Sequence, residues 1–426
     1  MGRRGEAGTS AAETDRAWSV VLGAGLCMFC GQAATILFTF GVFAPEIAAA
    51  TGWSPTTIAA AIGPATVAGA LLAPLAGRAV DTFGVRRMAM VGGPAYALGF
   101  IALALLPHDP VQFVALLVLV GALGFAATPV LYVQLATRWF TRRRGLSLSL
   151  IFACTSLGVA FWPPFAAKLI DLYGWRTSYV ILGTAAGAII LLCALFLLRD
   201  PSAVVPSEAH AGAAGMSLPE ALRSGTFWVV TAVFVILTGV LAGIMVNLPV
   251  ILRQQGISPL SAASIMTVVG AAMFVGRLSA GLMLDRWFSP LVTAGFTLLP
   301  IVGLAALLID PSPTTLYLAA VLLGLGLGSE MDAAAYIVSR AFGVRWFGTI
   351  YGVITLAYGL SSAIGPATAG AALSKGVSPG TIFAVGLALL VPTLLLLLSL
   401  RRRHLPFSVD ADTAPLPEKR SCHAIT

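Results

Sequence analysis

Apolar runs of about twenty residues recur along the chain from Val20 to Leu400, separated by short stretches of Pro, Gly and charge. They predict spans at residues 18–43, 56–80, 87–106, 111–136, 145–168 and 177–198. After a polar stretch from Arg199 to Ser224 the runs resume at 226–251, 260–284, 290–309, 315–340, 348–373 and 380–400. The pattern predicts an all-α polytopic membrane protein with twelve transmembrane helices in two six-helix, pseudo-symmetric bundles. The first run exceeds a signal-peptide core of about 7 to 15 residues, so it is expected to stay attached. The expected organisation is a tail at 1–17, a bundle at 18–198, a linker at 199–224, a second bundle at 225–400 and a tail at 401–426.

The two halves read as copies of each other. Sliding the chain by 204 residues puts Gly77 on Gly281 and Asp81 on Asp285, and a slide of 203 puts Gly121 on Gly324, Arg142 on Arg345, Gly145 on Gly348 and Pro163 on Pro366. An Ala- and Leu-rich chain would not match Gly, Pro, Asp and Arg at helix ends by chance. Parallel six-helix repeats are one design of secondary transporters, with the substrate near the midplane between the halves and alternating access by rocking.

Composition and charge narrow the classes. Of 426 residues, 58% are apolar and 10% charged, against about 25% charged in soluble domains, which excludes a soluble fold. The net charge of +8 lies mostly in short breaks between spans, with no basic face interleaved with aromatics, so nucleic acid is not a partner. Arg86, Arg87, Arg138, Arg142, Arg199, Arg223, Arg286 and Arg345 fall on the side shared by both termini, which places both ends in the cytoplasm of a cell with the protein in its inner membrane. Cys27, Cys30, Cys154 and Cys193 lie in apolar helices, and Cys27-x-x-Cys30 reads as helix packing, since nothing nearby completes four ligands. No metal or cofactor is expected. His108, His210, His404 and His423 all fall in loops or tails, so no Ser-His pair forms within the spans, and the chain carries no Walker A sequence. Neither an enzyme nor an ATP-driven pump is expected. A channel would more often show a symmetric ring of ligands.

Between spans two and three lies Gly77-Arg-Ala-Val-Asp81-Thr-Phe-Gly84-Val-Arg86-Arg87, with a half-copy at Gly281-Leu-Met-Leu-Asp285-Arg286. This resembles the loop motif of the major facilitator superfamily, and the resemblance covers essentially the whole chain. Gly77 permits close helix approach, and Asp81 can accept from a neighbouring helix N-terminus or a loop Arg. Gly77, Asp81, Gly84, Arg86, Arg87, Arg142 and Asp285 are therefore the expected gating residues, a clasp that holds one conformation of the two halves. Thr39-Phe-Gly-Val-Phe43 with Gly52-Trp53-Ser54-Pro55, and Trp139-Phe140-Thr-Arg-Arg-Arg-Gly145 with Tyr173-Gly174-Trp175-Arg176, are similar to patterns of the monocarboxylate and oxalate:formate transporter group. Where animal members of that group carry an Asp-Gly pair in span one, this chain has Gly31-Gln32-Ala-Ala-Thr35, so span one is not expected to couple protons.

Charges inside the bilayer are few and expensive, about 2.5 to 3.5 kcal/mol each at a helix centre. Arg277 lies about two turns from the end of span eight, and its repeat partner is the neutral Ala73. A guanidinium there suits a bidentate pair with the carboxylate of an organic anion, and members of the resembled group carry an essential Arg in this span. In span ten, Ser329, Asp332, Tyr336, Ser339 and Arg340 share one sector at 100° per residue, whereas Glu330 points almost the opposite way. Asp332 and Tyr336 are expected on the cavity and Glu330 against a neighbouring helix, either acid being able to carry a proton or to neutralise Arg277. Further polar candidates are Gln32, Thr35, Tyr132, Gln134, Asn247, Tyr351 and Tyr358.

These residues favour a monomeric transporter of a small organic anion, coupled to protons. Two alternatives stay open: proton-driven efflux of amphipathic or cationic compounds, with Glu330 and Asp332 attracting the cation, and anion exchange.

Overall fold

The computed structural model describes residues 3–105, 109–140, 143–200, 215–255, 257, 259–400 and 405. Arg142, His108, His210, His404 and His423 lie outside them, as do most of the linker and of the C-terminal tail. The described chain is helical, with twelve crossings in two bundles. Nine of its helical segments are long and apolar enough to cross a membrane.

Span one is built in pieces, Arg3–Phe29, a wide turn at Ala33–Leu37 and Phe38–Thr51. Thr35 explains part of this break. Its hydroxyl donates back to the Gly31 carbonyl at 3.0 Å and meets the Tyr96 hydroxyl at 2.8 Å, and Thr39 repeats the back-bond onto Thr35 at 2.8 Å. Span two is Pro55–Phe83 and span three Val85–Leu105. Span four is Pro110–Leu123 and Pro129–Trp139, joined by a tight turn at Gly124–Ala127. Pro129 enforces the restart at a first-turn position, where its missing N–H costs nothing.

Spans five and six share one continuous helical run, Arg144–Phe196, broken at Gly174, whose φ of 74° an L side chain rarely adopts. The second bundle follows as Gly225–Gln254, Pro259–Leu284, Ser289–Ile309, Pro313–Phe342, Phe347–Ser374 and Pro379–Ser399, spans seven to twelve.

The described end of the linker docks on the second bundle. Gly215 pairs with Gly343, and the Met216 amide donates to the Phe342 carbonyl at 2.8 Å. The short helix Leu218–Arg223 then begins with the Ser217 amide donating to the Glu220 carboxylate at 2.8 Å. That bond, followed by the Ser217 hydroxyl and the nearby Arg345, holds the Glu220 carboxyl below its ordinary value. A depressed folded value means that the cap is complete above the unfolded titration range and is lost as pH falls through the folded one. Hydrogen–deuterium exchange at the Ser217 amide, corrected for its intrinsic pH dependence, is therefore expected to accelerate on acidification in the native chain and not in Glu220→Gln.

The bundles meet along two pairs of helices, span two against span eleven and span five against span eight. Glycine makes both approaches possible. A Cβ on Gly348 would lie 2.7 Å from the Gly77 carbonyl oxygen, and one on Gly281 would lie 2.8 Å from the Gly145 carbonyl. These are the four glycines that the internal repeat superposes, so each half supplies one member of each pair.

Candidate functional site

Two helices at this interface start without a cap of their own. Span five follows Arg143 and span eleven follows Trp346, and neither side chain bonds the first turn. The acids of the opposite bundle do so instead. Asp81 accepts from the Gly348 amide at 3.2 Å, the Thr349 amide at 2.7 Å and the Thr349 hydroxyl at 2.7 Å. Asp285 accepts from the Gly145 and Leu146 amides at 2.5 and 2.9 Å. Each carboxylate thus caps a helix N-terminus in the other half, where the positive end of the helix dipole favours it.

Around Asp81 the clasp is fuller than around Asp285. Gln134 donates to Asp81, and Arg138 pairs with it at 3.4 Å. The other motif residues act within the first bundle. Gly84 has φ 81° and sits against Asp200, which accepts from the Val85 and Arg86 amides at 2.9 and 3.1 Å. Arg86 donates to the Ala194 and Leu195 carbonyls at the end of span six, and Arg87 is exposed. Asp200 is the residue that sequence reasoning passed over: an acid just beyond a span gives no sign that it caps a different helix.

Two turns deeper, Arg277 is 4% exposed. Spans eight and ten can touch because Gly328 packs on the Met273 carbonyl, which brings the Arg277 side chain against span ten. Its Nε donates to the Gly328 carbonyl at 3.3 Å and lies 3.7 Å from the Asp332 carboxylate, too far for a hydrogen bond. Its Nη1 crosses to the first bundle, donating to the Phe152 carbonyl at 2.7 Å and to the Ser156 hydroxyl at 3.0 Å. Asp332 is fully buried. One oxygen accepts from Ser149 of span five at 2.6 Å, and the other has no hydrogen-bond partner. Arg277 and Asp332 are therefore closed over by span five in this conformation, held by a long ion pair and not by a bidentate one.

Glu330 lies on the other side of span ten, 1% exposed, with one oxygen against the Thr238 hydroxyl of span seven. Tyr358, partly exposed, neighbours Thr238, Glu330 and Arg277, while the buried Tyr351 neighbours Asp332 and Glu330. The structure thus brings together Arg277, Asp332, Glu330, Tyr351 and Tyr358. It adds Ser149, Ser156 and Thr238, for which a hydroxyl in an apolar helix gave no signal.

Other candidates are engaged elsewhere. Gln32 donates to the Gly121 carbonyl at 3.3 Å and Tyr132 to the Ala126 carbonyl, both inside the first bundle. Asn247 donates to the Gly243 and Pro366 carbonyls at 2.8 and 3.0 Å, tying span seven to span eleven. Tyr336 turns to Arg340, whose guanidinium lies 5.2 Å from the ring. One span-five link runs close by, from Arg144 to the Ser339 hydroxyl at 3.1 Å.

The sequence model of the Major Facilitator Superfamily matches residues 21–366. The chain belongs to the major facilitator superfamily. Members of this family are transporters and not enzymes, and the chain is a multi-pass membrane protein of that kind. It is 26% identical over 349 residues to the uncharacterized MFS-type transporter YhjX of Escherichia coli (strain K12), covering 81% of this chain and 85% of that one. It is 30% identical over 258 residues to monocarboxylate transporter 13 of Bos taurus, covering 59% of this chain and 58% of that one. Among solved structures, the human organic anion transporter MFSD10 superposes with a TM-score of 0.69 at 17% identity, over 90% of this chain and 99% of that chain. The proton:xylose symporter XylE superposes with a TM-score of 0.65 at 14% identity, over 90% and 95%. These superpositions show the shared facilitator fold.

Proposed function

We propose that this facilitator moves a small organic anion, a monocarboxylate or a similar carboxylate, together with a proton by alternating access. Arg277 carries the reading. It is a buried guanidinium on one half only, bonded across the bundle interface, with a carboxylate partner too distant to saturate it. Opening the clasped face would separate Phe152, Ser149 and Ser156 from Arg277 and Asp332. The guanidinium would then have donors free for a substrate carboxylate, whose bidentate contact exceeds the long internal pair. Similarity to a bovine monocarboxylate transporter supports the same class of cargo. The arginine-bearing connections support a reading in which both termini and the clasped face lie in the cytoplasm of a cell with the protein in its inner membrane, working as a monomer. The segments 1–17, 18–198, 199–224, 225–400 and 401–426 are its tail, bundle, linker, bundle and tail.

Proteoliposomes holding the purified protein test this reading. Labelled pyruvate is expected to accumulate when the proton gradient points inward and to be displaced by unlabelled carboxylates. Accumulation of a lipophilic cation against the gradient, with no carboxylate uptake, would favour efflux of cations instead.

A further inference from the structure

Building on that reading, we propose that Glu330, and not Asp332, is the proton-carrying acid: it is neutral in this clasped conformation and hands its proton to water when the clasped face opens. Counting protons at Thr238 leads there. The Thr238 hydroxyl lies 2.6 Å from the carbonyl oxygen of Phe234, one turn back on its own helix, and it also touches Glu330 Oε1. A hydroxyl owns a single proton but can accept twice. Two bare oxygens at 2.6 Å repel, so the Thr238 proton occupies the contact with Phe234. The contact with Glu330 then needs a proton of its own, which only the carboxyl can supply.

Two further observations agree. Among the described residues, no Lys or Arg nitrogen lies within 4.0 Å of the Glu330 carboxyl, the ion pairs being Arg138–Asp81 and Arg277–Asp332. Glu330 Oε2 is also buried with no hydrogen-bond partner. An unpartnered oxygen is tolerable on a neutral acid, where it is carbonyl-like, and far more costly on a carboxylate. Asp332 also has one oxygen without a hydrogen bond, but that oxygen faces the Arg277 guanidinium at 3.7 Å, which compensates its charge, and among the described residues Ser149 has no second acceptor competing for its proton and gives it to Asp332. It is the ionised member of the two.

The groups facing Glu330 are Thr238 from span seven, Arg277 from span eight and Tyr351 and Tyr358 from span eleven, with Asp332 on its own helix. Arg277 is the one cation in this set, and Asp332 already neutralises it. On opening, the Oε1–H bond of Glu330 breaks and the proton passes to water. The Thr238 hydroxyl then rotates its own proton from the Phe234 carbonyl to the new carboxylate, so the anion keeps a donor. A substrate carboxylate on Arg277 has the reverse effect, adding a negative charge beside Glu330 and drawing a proton back. Cargo and proton are thereby linked without a direct contact between them.

Infrared spectroscopy of the purified protein in lipid at neutral pH tests the assignment without a substrate. A carbonyl stretch of a protonated, buried carboxyl is expected in the native chain. It should vanish in Glu330→Gln, persist in Asp332→Asn and shift in Thr238→Val, which keeps the shape but removes the acceptor. Absence of the band from the native chain, or its loss in Asp332→Asn with survival in Glu330→Gln, would overturn the proposal. Circular dichroism confirms that each variant is folded. In proteoliposomes, Glu330→Gln is expected to lose the stimulation of pyruvate uptake by an inward proton gradient, and retained stimulation would also overturn it. A native chain that shows the band, loses it in Glu330→Gln and carries no pyruvate would count against the carboxylate cargo and leave the protonation of Glu330 established.

Discussion

Arg277→Ala is expected to abolish proton-driven uptake of labelled pyruvate and, separately, to destabilise the folded protein. The two effects have different causes. Truncation removes the group proposed to hold the cargo, and it also strips Asp332, which is fully buried, of the one cation that pairs with it among the described residues. Breaking a buried pair from one side costs roughly 3 to 5 kcal/mol, because the remaining charge has no compensation. Replacing both partners by apolar residues of similar volume is often neutral or better. Arg277→Leu/Asp332→Leu should therefore recover most of the thermal stability lost in Arg277→Ala while remaining inactive. Arg277→Lys tests the geometry: it keeps the charge but loses the planar fork that reaches Gly328, Phe152 and Ser156 together, so affinity should fall even where folding is intact. Pyruvate uptake at native rates in Arg277→Ala would remove the guanidinium from the transport cycle. Equal loss of stability in the single and the double variants would show that the pair is not a coupled unit.

What could be read in the chain beforehand divides along physical lines. The twelve crossings were legible because a bilayer imposes length and hydropathy on each run, and because a membrane-embedded backbone has few ways to satisfy itself. The junction of spans five and six was legible in place, between the runs 145–168 and 177–198, but not in form. It is a single positive-φ glycine, Gly174, inside an otherwise continuous helix, and a glycine in a Tyr-Gly-Trp stretch carries no mark of its angle. Asp81 and Asp285 were legible as clasp residues because the repeat duplicates them. The reason they are needed was also in the sequence: the helices they cap start after Arg143 and Trp346, neither of which is a capping residue. Arg277, Asp332 and Glu330 stand out because any charge in an apolar helix does. Their hydroxyl partners do not, since Ser and Thr commonly satisfy themselves on their own helix, and only the packing shows that Ser149 reaches Asp332. For the same reason Gln32, Tyr132 and Asn247 looked equivalent to Tyr358 until tertiary contacts set them apart.

The clasped face offers a second large effect, because it depends on atoms that have no room to move. In Gly348→Val the new Cβ would lie 2.7 Å from the Gly77 carbonyl oxygen and 2.9 Å from the Asp81 carboxylate, and the first of these is backbone. Span eleven must then withdraw from span two, and Asp81 loses the Gly348 and Thr349 amides together. A lost cap is worth about 0.5 to 2 kcal/mol, and the overlap adds to it. Since each 1.4 kcal/mol changes an equilibrium about tenfold, the clasped conformation should lose about tenfold or more against the opened one. Gly145→Val should act alike at the other pair, where the Gly281 carbonyl and Asp285 stand in the way. Gly270→Ala, with no atom within 4 Å of the added carbon, is the matched control. Spin labels on Thr82→Cys and Arg286→Cys, both exposed and on opposite bundles, report the separation by double electron–electron resonance. Longer distances are expected in Gly348→Val and Gly145→Val and native ones in Gly270→Ala. Unchanged distributions in both valine variants would mean that the glycine pairs do not set the balance between the two halves. Because the proposed cargo site is closed over by Phe152 and Ser149 of span five, the same variants should also expose Arg277 to water, so that opening and access to that site move together.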